Sequence, residues 1–239
     1  MFGIYTLIYS LNGKKNDMQL LSKEDLKPLF VANLNQSAYT LKRYFHFWQK
    51  KPYLARFKLV LKLLGNQKFD KFIDIGFGSG IFLPELKKRC KNLYGIDIHS
   101  EIETVKKIIR DKKITADLQK ADINHLPFPD NFFDGVLCLS VLEFISDTDK
   151  AVSEIKRVAK SSATIIVGAP VLNSLTNFIY NKIIKFKKHS KLHKTNHEKI
   201  INAINKEFEI IKILKLPSWL PLNHSLFFVL KAKNRENQK

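Results

Sequence analysis

Three glycines at every second position follow a short apolar run that contains an acidic residue. The run over residues 72–75 includes Asp74 and leads directly into Gly76, Gly78 and Gly80. Because glycine has no Cβ, such a loop can adopt positive φ and lets a ligand lie against bare peptide. The next residues predict a helix whose first N–H groups face the same ligand. The spacing predicts a ligand loop after a buried strand, although a glycine loop alone is also typical of surface turns.

Two further carboxylates end later strand-like segments. Asp97 lies 21 positions after Gly76, near the offset of roughly 20 residues at which an acidic side chain accepts ribose hydroxyls. Asp122 closes a third segment. Ligands bind at the carboxyl edge of an open α/β sheet, so these residues together predict a nucleoside site. The alternative for either aspartate alone is the cap of a strand-end turn.

These segments, taken in order, resemble the class I S-adenosylmethionine-dependent methyltransferases. The likeness is to their small-molecule and lipid branch (methyltransferase type 11-like), which includes the quinone-ring methyltransferases. It covers residues 69–169 and is carried by segments 74–80, 95–98, 121–134 and 141–145. One departure is residues 160–162, Lys-Ser-Ser, where many members have a proline-glycine-glycine turn.

The resemblance implies S-adenosyl-L-methionine as the cofactor and assigns residues to it. The glycines would admit the methionine part and the ribose, and Asp97 would hold the ribose diol. Asp122 would face the adenine amino group, with the backbone N–H of Ile123 beside it, and Asp74 would orient the loop. The implied cofactor residues are Asp74, Gly76, Gly78, Gly80, Asp97, Ile98, Asp122, Ile123 and Leu139.

Methyl transfer by direct displacement depends on alignment and a dry pocket, so no catalytic triad is expected. Two side chains near the implied acceptor are candidates for accepting a proton. Glu143 stands where the resembled family often has His or Glu, and His125 closely follows Asp122. Either could act as the acceptor, and either could equally be a satisfied polar residue.

A second pattern concerns metal binding. His189, His193 and His197 recur at every fourth position, and three imidazoles on one helix face can bind zinc. Thr195 and Glu198, however, have the spacing of a capping box, which predicts a helix start between these histidines. The sequence therefore predicts no metal site.

The elements that must position these residues predict an α/β protein. The resemblance implies a doubly wound, Rossmann-like sheet of seven mostly parallel strands with an antiparallel last strand. We expect a helical N-terminal lid region over residues 1–65 and a methyltransferase domain over 66–239, with inserted lid or substrate helices over 170–206. In the first region, apolar residues at 3,4 spacing predict a helix from Pro52 to Leu64 that ends at Gly65.

The charge is unevenly distributed. The net charge is +19, and Lys and Arg outnumber Asp and Glu by 12 to 4 over residues 1–70, 15 to 14 over 71–170 and 14 to 4 over 171–239. An apolar stripe over 175–188 carries Lys182, Lys185, Lys187 and Lys188. It predicts either peripheral contact with an anionic membrane or an ordinary lid helix with solvated lysines. A lysine-rich composition alone also accounts for the charge.

The cysteines and the first eleven residues indicate the cellular compartment. Two cysteines, Cys90 and Cys138, exclude a disulfide framework and fit a reducing compartment. The apolar start, residues 1–11, lacks a basic n-region and is too short to span a bilayer. We therefore expect a cytoplasmic protein, with peripheral membrane contact as a hypothesis.

Three classes of function stay open. The first is methyl transfer to a small-molecule or lipid-like acceptor. The second is methylation of RNA or other nucleic acid, which the charge favours. Residues 139–144, Leu-Ser-Val-Leu-Glu-Phe, oppose it because amino-base methyltransferases have Asn/Asp-Pro-Pro-aromatic there. The third is a non-catalytic binding module. A nicotinamide dehydrogenase is disfavoured because its third glycine would fall at Ile81. The acceptor atom and the oligomeric state stay undetermined.

Overall fold

The protein's structure is a computed structural model that describes residues 18–31, 45, 50–173, 176 and 193–235. The described residues form seven strands, six α-helices and two 3₁₀ turns. The strands are β1 Phe69–Ile75, β2 Cys90–Asp97, β3 Asp117–Lys120, β4 Phe133–Leu139, β5 Ala159–Pro170, β6 Phe208–Leu216 and β7 Phe227–Asn234. The helices are α1 Lys27–Val31, α2 Lys50–Leu64, α3 Leu83–Lys87, α4 Ile102–Asp111, α5 Thr148–Val158 and α6 His197–Glu207, and the 3₁₀ turns are Leu142–Phe144 and Leu222–His224.

All seven strands lie in one sheet of order β3-β2-β1-β4-β5-β7-β6. Strand β1 pairs in parallel with β2 on one side and β4 on the other, so the strand order reverses between β1 and β4. Strand β7 is antiparallel to both of its neighbours, β5 and β6. This confirms the predicted doubly wound sheet with an antiparallel last strand. It also places the ligand edge at the β1/β4 switch point.

The sheet separates two apolar layers because successive strand residues point to opposite faces. Phe72 and Leu137 pack in one layer with α2, α3 and α4, whereas Ile73 and Val136 pack in the other with α5 and α6. The later residues of β1, β4 and β5 are buried on both faces of the sheet, which explains why those residues are mostly apolar. Gly135 is required here because an added Cβ would lie 2.4 Å from the Phe72 ring.

Capping residues and glycine stops determine where these helices begin and end. Helix α2 ends before Gly65, which has a φ of 58°, as predicted. Helix α5 is capped by Asp147, whose side chain accepts a hydrogen bond from the Lys150 backbone N–H at 3.0 Å. Helix α6 differs from the prediction, since Asn196 caps it and accepts from the Lys199 N–H at 2.9 Å. Thr195 is not the cap: its Oγ1 accepts no hydrogen bond from the described residues, and its N–H donates to the Glu143 carbonyl at 3.3 Å.

Several predictions fall wholly or partly outside the described residues. The N-terminal lid region is described only for 18–31, 45 and 50–65, and the stripe over 175–188 only at Thr176. His189 also lies outside them. The predicted domain boundaries therefore stay predictions. No helix in the described part of the chain is long and apolar enough to cross a membrane.

Candidate functional site

The three loop glycines share positive φ but have different surroundings. Their φ angles are 79° at Gly76, 56° at Gly78 and 70° at Gly80. An added Cβ would lie 2.2 Å from Val141 Cγ2 at Gly76 and 2.8 Å from Val105 Cγ1 at Gly80, whereas at Gly78 it would meet no atom within 4 Å. Gly76 and Gly80 are therefore needed for packing inside the protein. Among the described residues, nothing occupies the Cβ position of Gly78, so we expect a ligand to approach the loop backbone most closely there.

Asp97, at the end of β2, is bonded to the glycine loop. Its Oδ2 accepts from the Gly78 N–H at 2.8 Å, and its Oδ1 accepts from the N–H groups of Ile98 at 2.7 Å and His99 at 3.3 Å. A carboxylate offers about four acceptor positions. A ribose diol binding to both oxygens would thus displace the longest of these bonds, the one from His99. The predicted bidentate contact stays a prediction, and the carboxylate also has a structural role.

Asp74 is a buried carboxyl group at the same edge of the sheet. It is 5% exposed and makes no hydrogen bond or ion pair with another described residue. Burial, reinforced by the negative charge of Asp97, raises its pKa to about 7. A group of this kind is stabilised by a cation placed beside it, because the cation offsets the cost of desolvating the carboxylate.

Glu143 lies just beyond β4, in the 3₁₀ turn Leu142–Phe144. Its side chain is buried, and among the described residues Oε2 has no hydrogen-bond partner. Burial raises its pKa to about 8, although its own backbone N–H and the positive charge of Arg56 oppose the shift. Its carbonyl accepts from the Lys194 N–H at 2.8 Å, which fixes the turn against the segment preceding α6. Glu143 is therefore a buried acid with an available oxygen.

Arg56 is a residue of this site that the sequence did not indicate. From α2, its Nη1 donates to Ser140 Oγ at 2.8 Å, directly after β4. The guanidinium carbon lies 4.6 Å from the Tyr53 ring centre and 5.3 Å from that of Phe227. The helix before the sheet is thus joined to the carboxyl end of β4 across 84 residues. No local pattern around an isolated arginine predicts such a contact.

The adenine side of the predicted site contains an exposed apolar residue and a turn. Ile98 is 69% exposed, whereas Ile123 is buried in the layer below. Asp122 is exposed, and its Oδ1 accepts from the Asn124 backbone N–H at 2.8 Å. This hydrogen bond is the turn cap that was the alternative role of Asp122, and it leaves Oδ2 available to a ligand. Leu139 is half-buried at the end of β4.

His125 lies at the protein surface, whereas Glu143 is buried. The His125 Nε2 lies 3.1 Å from the Lys150 ammonium on α5. Lysine can only donate, so Nε2 is the acceptor in this contact. The lone pair that would take a proton from a substrate is thus engaged at the protein surface. A catalytic role for His125 stays a prediction that this geometry does not favour.

Two of the three histidines that recur at every fourth position are described, and both contact other groups. The His193 ring lies 5.2 Å from the Phe144 ring, and burial lowers its pKa to about 4. The His197 Nε2 lies 3.2 Å from Asn223 Oδ1. Within the described ranges, no group of three or more His, Cys, Asp or Glu side chains could hold a metal ion.

The sheet order defines a doubly wound α/β protein, and the glycine loop and the acidic strand ends lie at its switch point, the edge at which such sheets bind ligands. Residues 73–167 match the family described as a methyltransferase domain. The chain is 38% identical over 110 residues to an uncharacterized protein of Methanocaldococcus jannaschii, a match covering 46% of this chain and 44% of the relative. It is 32% identical over 112 residues to a ubiquinone/menaquinone biosynthesis C-methyltransferase of Chromobacterium violaceum, covering 45% and 46%.

Solved structures show the same fold. The N-methyltransferase NodS from Bradyrhizobium japonicum, in complex with S-adenosyl-L-homocysteine, superposes with a TM-score of 0.63 at 14% identity and covers 89% of this chain and 99% of its own. Over residues 73–167 the chain is therefore similar to the class I S-adenosylmethionine-dependent methyltransferases. The match spans about half the length of the curated relatives.

The cofactor of this family is S-adenosylmethionine, and the site's chemistry fits it. The methionine part of that molecule carries a cationic ammonium and sulfonium, and Asp74 is a buried carboxyl that a nearby cation would stabilise. The nucleoside part offers a diol and an apolar ring, for which Asp97 and the exposed Ile98 are suitable partners. Gly78 leaves the space that a close backbone approach requires.

Proposed function

We propose that the chain transfers a methyl group from S-adenosylmethionine to a small-molecule or lipid-like acceptor by direct displacement. The observation that carries the proposal is Glu143, a buried acid with an available oxygen at the same sheet edge as the Asp97–Gly78 loop. A structural acid in this position would have its oxygens paired, since a lone buried carboxyl is costly. An acceptor group that brings its own proton would supply the missing partner.

The cofactor residues would divide the molecule between them. Asp97 would hold the ribose and Ile98 would cover one face of the adenine ring. Asp122 would accept from the adenine amino group through Oδ2, with the Ile123 N–H beside it. Gly78 would provide the bare peptide, and Asp74 would face the cationic methionine part. Gly76, Gly80 and Leu139 support the loop from within or line its far side.

When bound, S-adenosylmethionine supplies an electrophilic methyl group on a sulfonium. Glu143 would take the proton that the acceptor releases as its new bond to the methyl carbon forms. The acceptor's proton then ends on Oε2, and no residue of the chain is covalently modified. A carboxyl with a pKa near 8 exchanges protons readily at neutral pH, which suits a general base. Holding both reactants in line accounts for about 7–11 kcal/mol of barrier lowering in such systems.

A small or lipid-like acceptor is supported by the relatives and by the buried surroundings of the site. The Chromobacterium violaceum relative is a C-methyltransferase of ubiquinone and menaquinone biosynthesis. Arg56, with the Tyr53 and Phe227 rings beside it, presents aromatic and cationic surface next to Ser140. The proposal includes a cytoplasmic location, supported by two free cysteines, and peripheral contact with anionic membrane.

The alternative acceptor is RNA or another nucleic acid, which the net charge of +19 favours. Incubation with methyl-labelled cofactor and a cell extract, followed by separation into lipid, small-molecule, RNA and protein fractions, distinguishes the two. Label in the lipid or small-molecule fraction supports the proposal, and label in RNA replaces it with the alternative. Tight cofactor binding without label in any fraction would indicate a non-catalytic module. The Glu143→Gln protein serves as the control for enzyme-dependent transfer.

A further inference from the structure

Both backbone groups of Gly78 are held by side chains from one short segment, Asp97 at the end of β2 and His99 just after it. The Gly78 N–H donates to Asp97 Oδ2 at 2.8 Å, and the Gly78 carbonyl lies 2.8 Å from His99 Nε2. The N–H belongs to the peptide plane before Gly78 and the carbonyl to the plane after it. Two successive planes are thus fixed, each by a different side chain.

The ring of His99 is itself fixed in one tautomer. The Glu101 N–H donates to His99 Nδ1 at 3.0 Å, so Nδ1 acts as an acceptor and carries no proton. The neutral ring therefore has its proton on Nε2, which donates to the Gly78 carbonyl. The ring also packs edge-on against Phe77, with 5.5 Å between the ring centres. Its orientation is determined by three neighbours rather than by the loop bond alone.

Glycine in this position makes such a restraint useful. Gly78 has a φ of 56° and no contact within 4 Å at its Cβ position, so little else restricts its rotation. A trans peptide is planar, and its carbonyl and N–H point in opposite directions. Holding the Gly78 carbonyl toward His99 therefore also fixes the direction of the Ser79 N–H, away from the ring. A ligand that meets a loop already in this orientation does not bear the entropy cost of ordering it.

We propose that His99 is a positioning residue that pre-orders the Gly78–Ser79 peptide for the nucleoside part of the ligand. The inference rests on the proposed function, since it assumes that the loop binds S-adenosylmethionine or its product. It assigns the ring a role through the loop rather than a contact with the ligand. His99 is outside every segment to which the resemblance assigned a role.

Two substitutions separate the loop bond from the bond to Glu101. In His99→Gln, the amide nitrogen falls near the position of Nε2, so the variant can still donate to the Gly78 carbonyl. In His99→Asn, the amide oxygen falls near the position of Nδ1, so the variant can accept from the Glu101 N–H but cannot reach the carbonyl. If His99 has only a structural role at the start of α4, the Asn variant should keep the wild-type affinity for the ligand. If His99 positions the loop, the Gln variant should keep it.

The test is calorimetric titration of the full chain with S-adenosylhomocysteine, with thermal unfolding to show that each variant folds. We expect His99→Asn to bind about 5- to 10-fold more weakly than wild type, the effect of one neutral hydrogen bond, and His99→Gln to bind within about 2-fold. The exposed His224, changed to Gln and to Asn, provides the matched controls and should leave affinity unchanged. Nitrogen-15 spectra of the wild-type imidazole should show the proton on Nε2 without any ligand.

The outcomes are distinguishable from failure of the proposed function. Wild type that binds S-adenosylhomocysteine, with the Asn and Gln variants equally affected or Asn unaffected, overturns the positioning role alone. A proton on Nδ1 in the ligand-free spectrum also overturns it. Wild type that does not bind S-adenosylhomocysteine overturns the proposed function and, with it, the inference.

Discussion

Replacing Glu143 with Gln should make the folded protein less sensitive to alkaline pH. The pKa of Glu143 is about 8 in the folded protein against 4.5 for the ordinary group, and the first cause is burial. As pH rises above about 4.5, the unfolded chain releases this proton while the folded chain retains it up to about pH 8. The unfolded state then binds fewer protons, so the free energy of unfolding must fall with pH over this window.

The magnitude follows from the two pKa values. Between pH 5 and pH 8, a group with these values costs the folded state about 3 kcal/mol of stability. Gln has the same shape and no charge to lose, so this cost disappears in the variant. Asp74, whose pKa is raised to about 7, destabilises in the same direction, and His193, whose pKa is lowered to about 4, acts in the opposite direction as pH falls below 6.5. Asp74 and His193 are present in both wild type and Glu143→Gln, so their contributions cancel when the stability of one protein is subtracted from that of the other.

Urea unfolding at pH 5, 6, 7 and 8 measures the effect. The stability of Glu143→Gln minus that of wild type should grow by about 3 kcal/mol across the series, with similar denaturant slopes. A constant offset is allowed, because the buried amide has its own hydrogen-bonding cost. The exposed Glu24, changed to Gln, is the matched control and should stay parallel to wild type.

A difference that does not vary with pH would refute the reasoning. It would mean that Glu143 is ionised in the folded protein at neutral pH, either solvated or paired with a cation. Glu143 would then not be a neutral buried acid with an available oxygen, and it could not be the proposed proton acceptor. Asp74→Asn provides an internal check, since its pH-dependent gain should level off earlier, near pH 7.

Three further predictions concern the site and the charge. Asp97→Ala should weaken S-adenosylhomocysteine binding by about 1.5–3 kcal/mol in a calorimetric titration. It should also lower the melting temperature, because the carboxylate accepts hydrogen bonds from the Gly78 and Ile98 N–H groups. Unchanged affinity would contradict the ribose assignment. With an acceptor in hand, kcat/KM should rise roughly tenfold per pH unit up to about pH 8 and lose this rise in Glu143→Gln; a profile that is flat in wild type contradicts the base. Replacing Lys182, Lys185, Lys187 and Lys188 with Gln should weaken binding to anionic vesicles at low salt by about 1 kcal/mol per lysine and leave cofactor affinity unchanged. A wild-type protein that does not bind such vesicles but binds RNA would contradict the membrane hypothesis.

The sequence indicated part of the sheet because some of its strands have a local signal. Residues 136–139 are apolar, and they lie in β4, which covers Phe133–Leu139. The cap at Asp147 and the stop at Gly65 were also predictable, since each involves neighbours within one helical turn. The cap at Asn196 was not, because Thr195 also has the spacing of a cap, and its contact with the Glu143 carbonyl, 52 positions away, has no local signal.

The candidate site was predictable in part. The spacing of Gly76, Gly78 and Gly80 indicated a loop with positive φ, and all three glycines have it. The spacing did not show that only Gly78 faces open space, since the neighbours of the other two, Val141 and Val105, come from elsewhere in the chain.

What the sequence alone determined is therefore the class of protein: the order of strands, the glycine loop and the acidic strand ends. What only the tertiary structure decided is the state of the groups in the site. Burial raises the pKa of Glu143, Arg56 reaches Ser140, and His99 holds the Gly78 carbonyl. A residue's type and spacing are properties of one chain segment, whereas desolvation and long-range hydrogen bonds depend on which segments pack together.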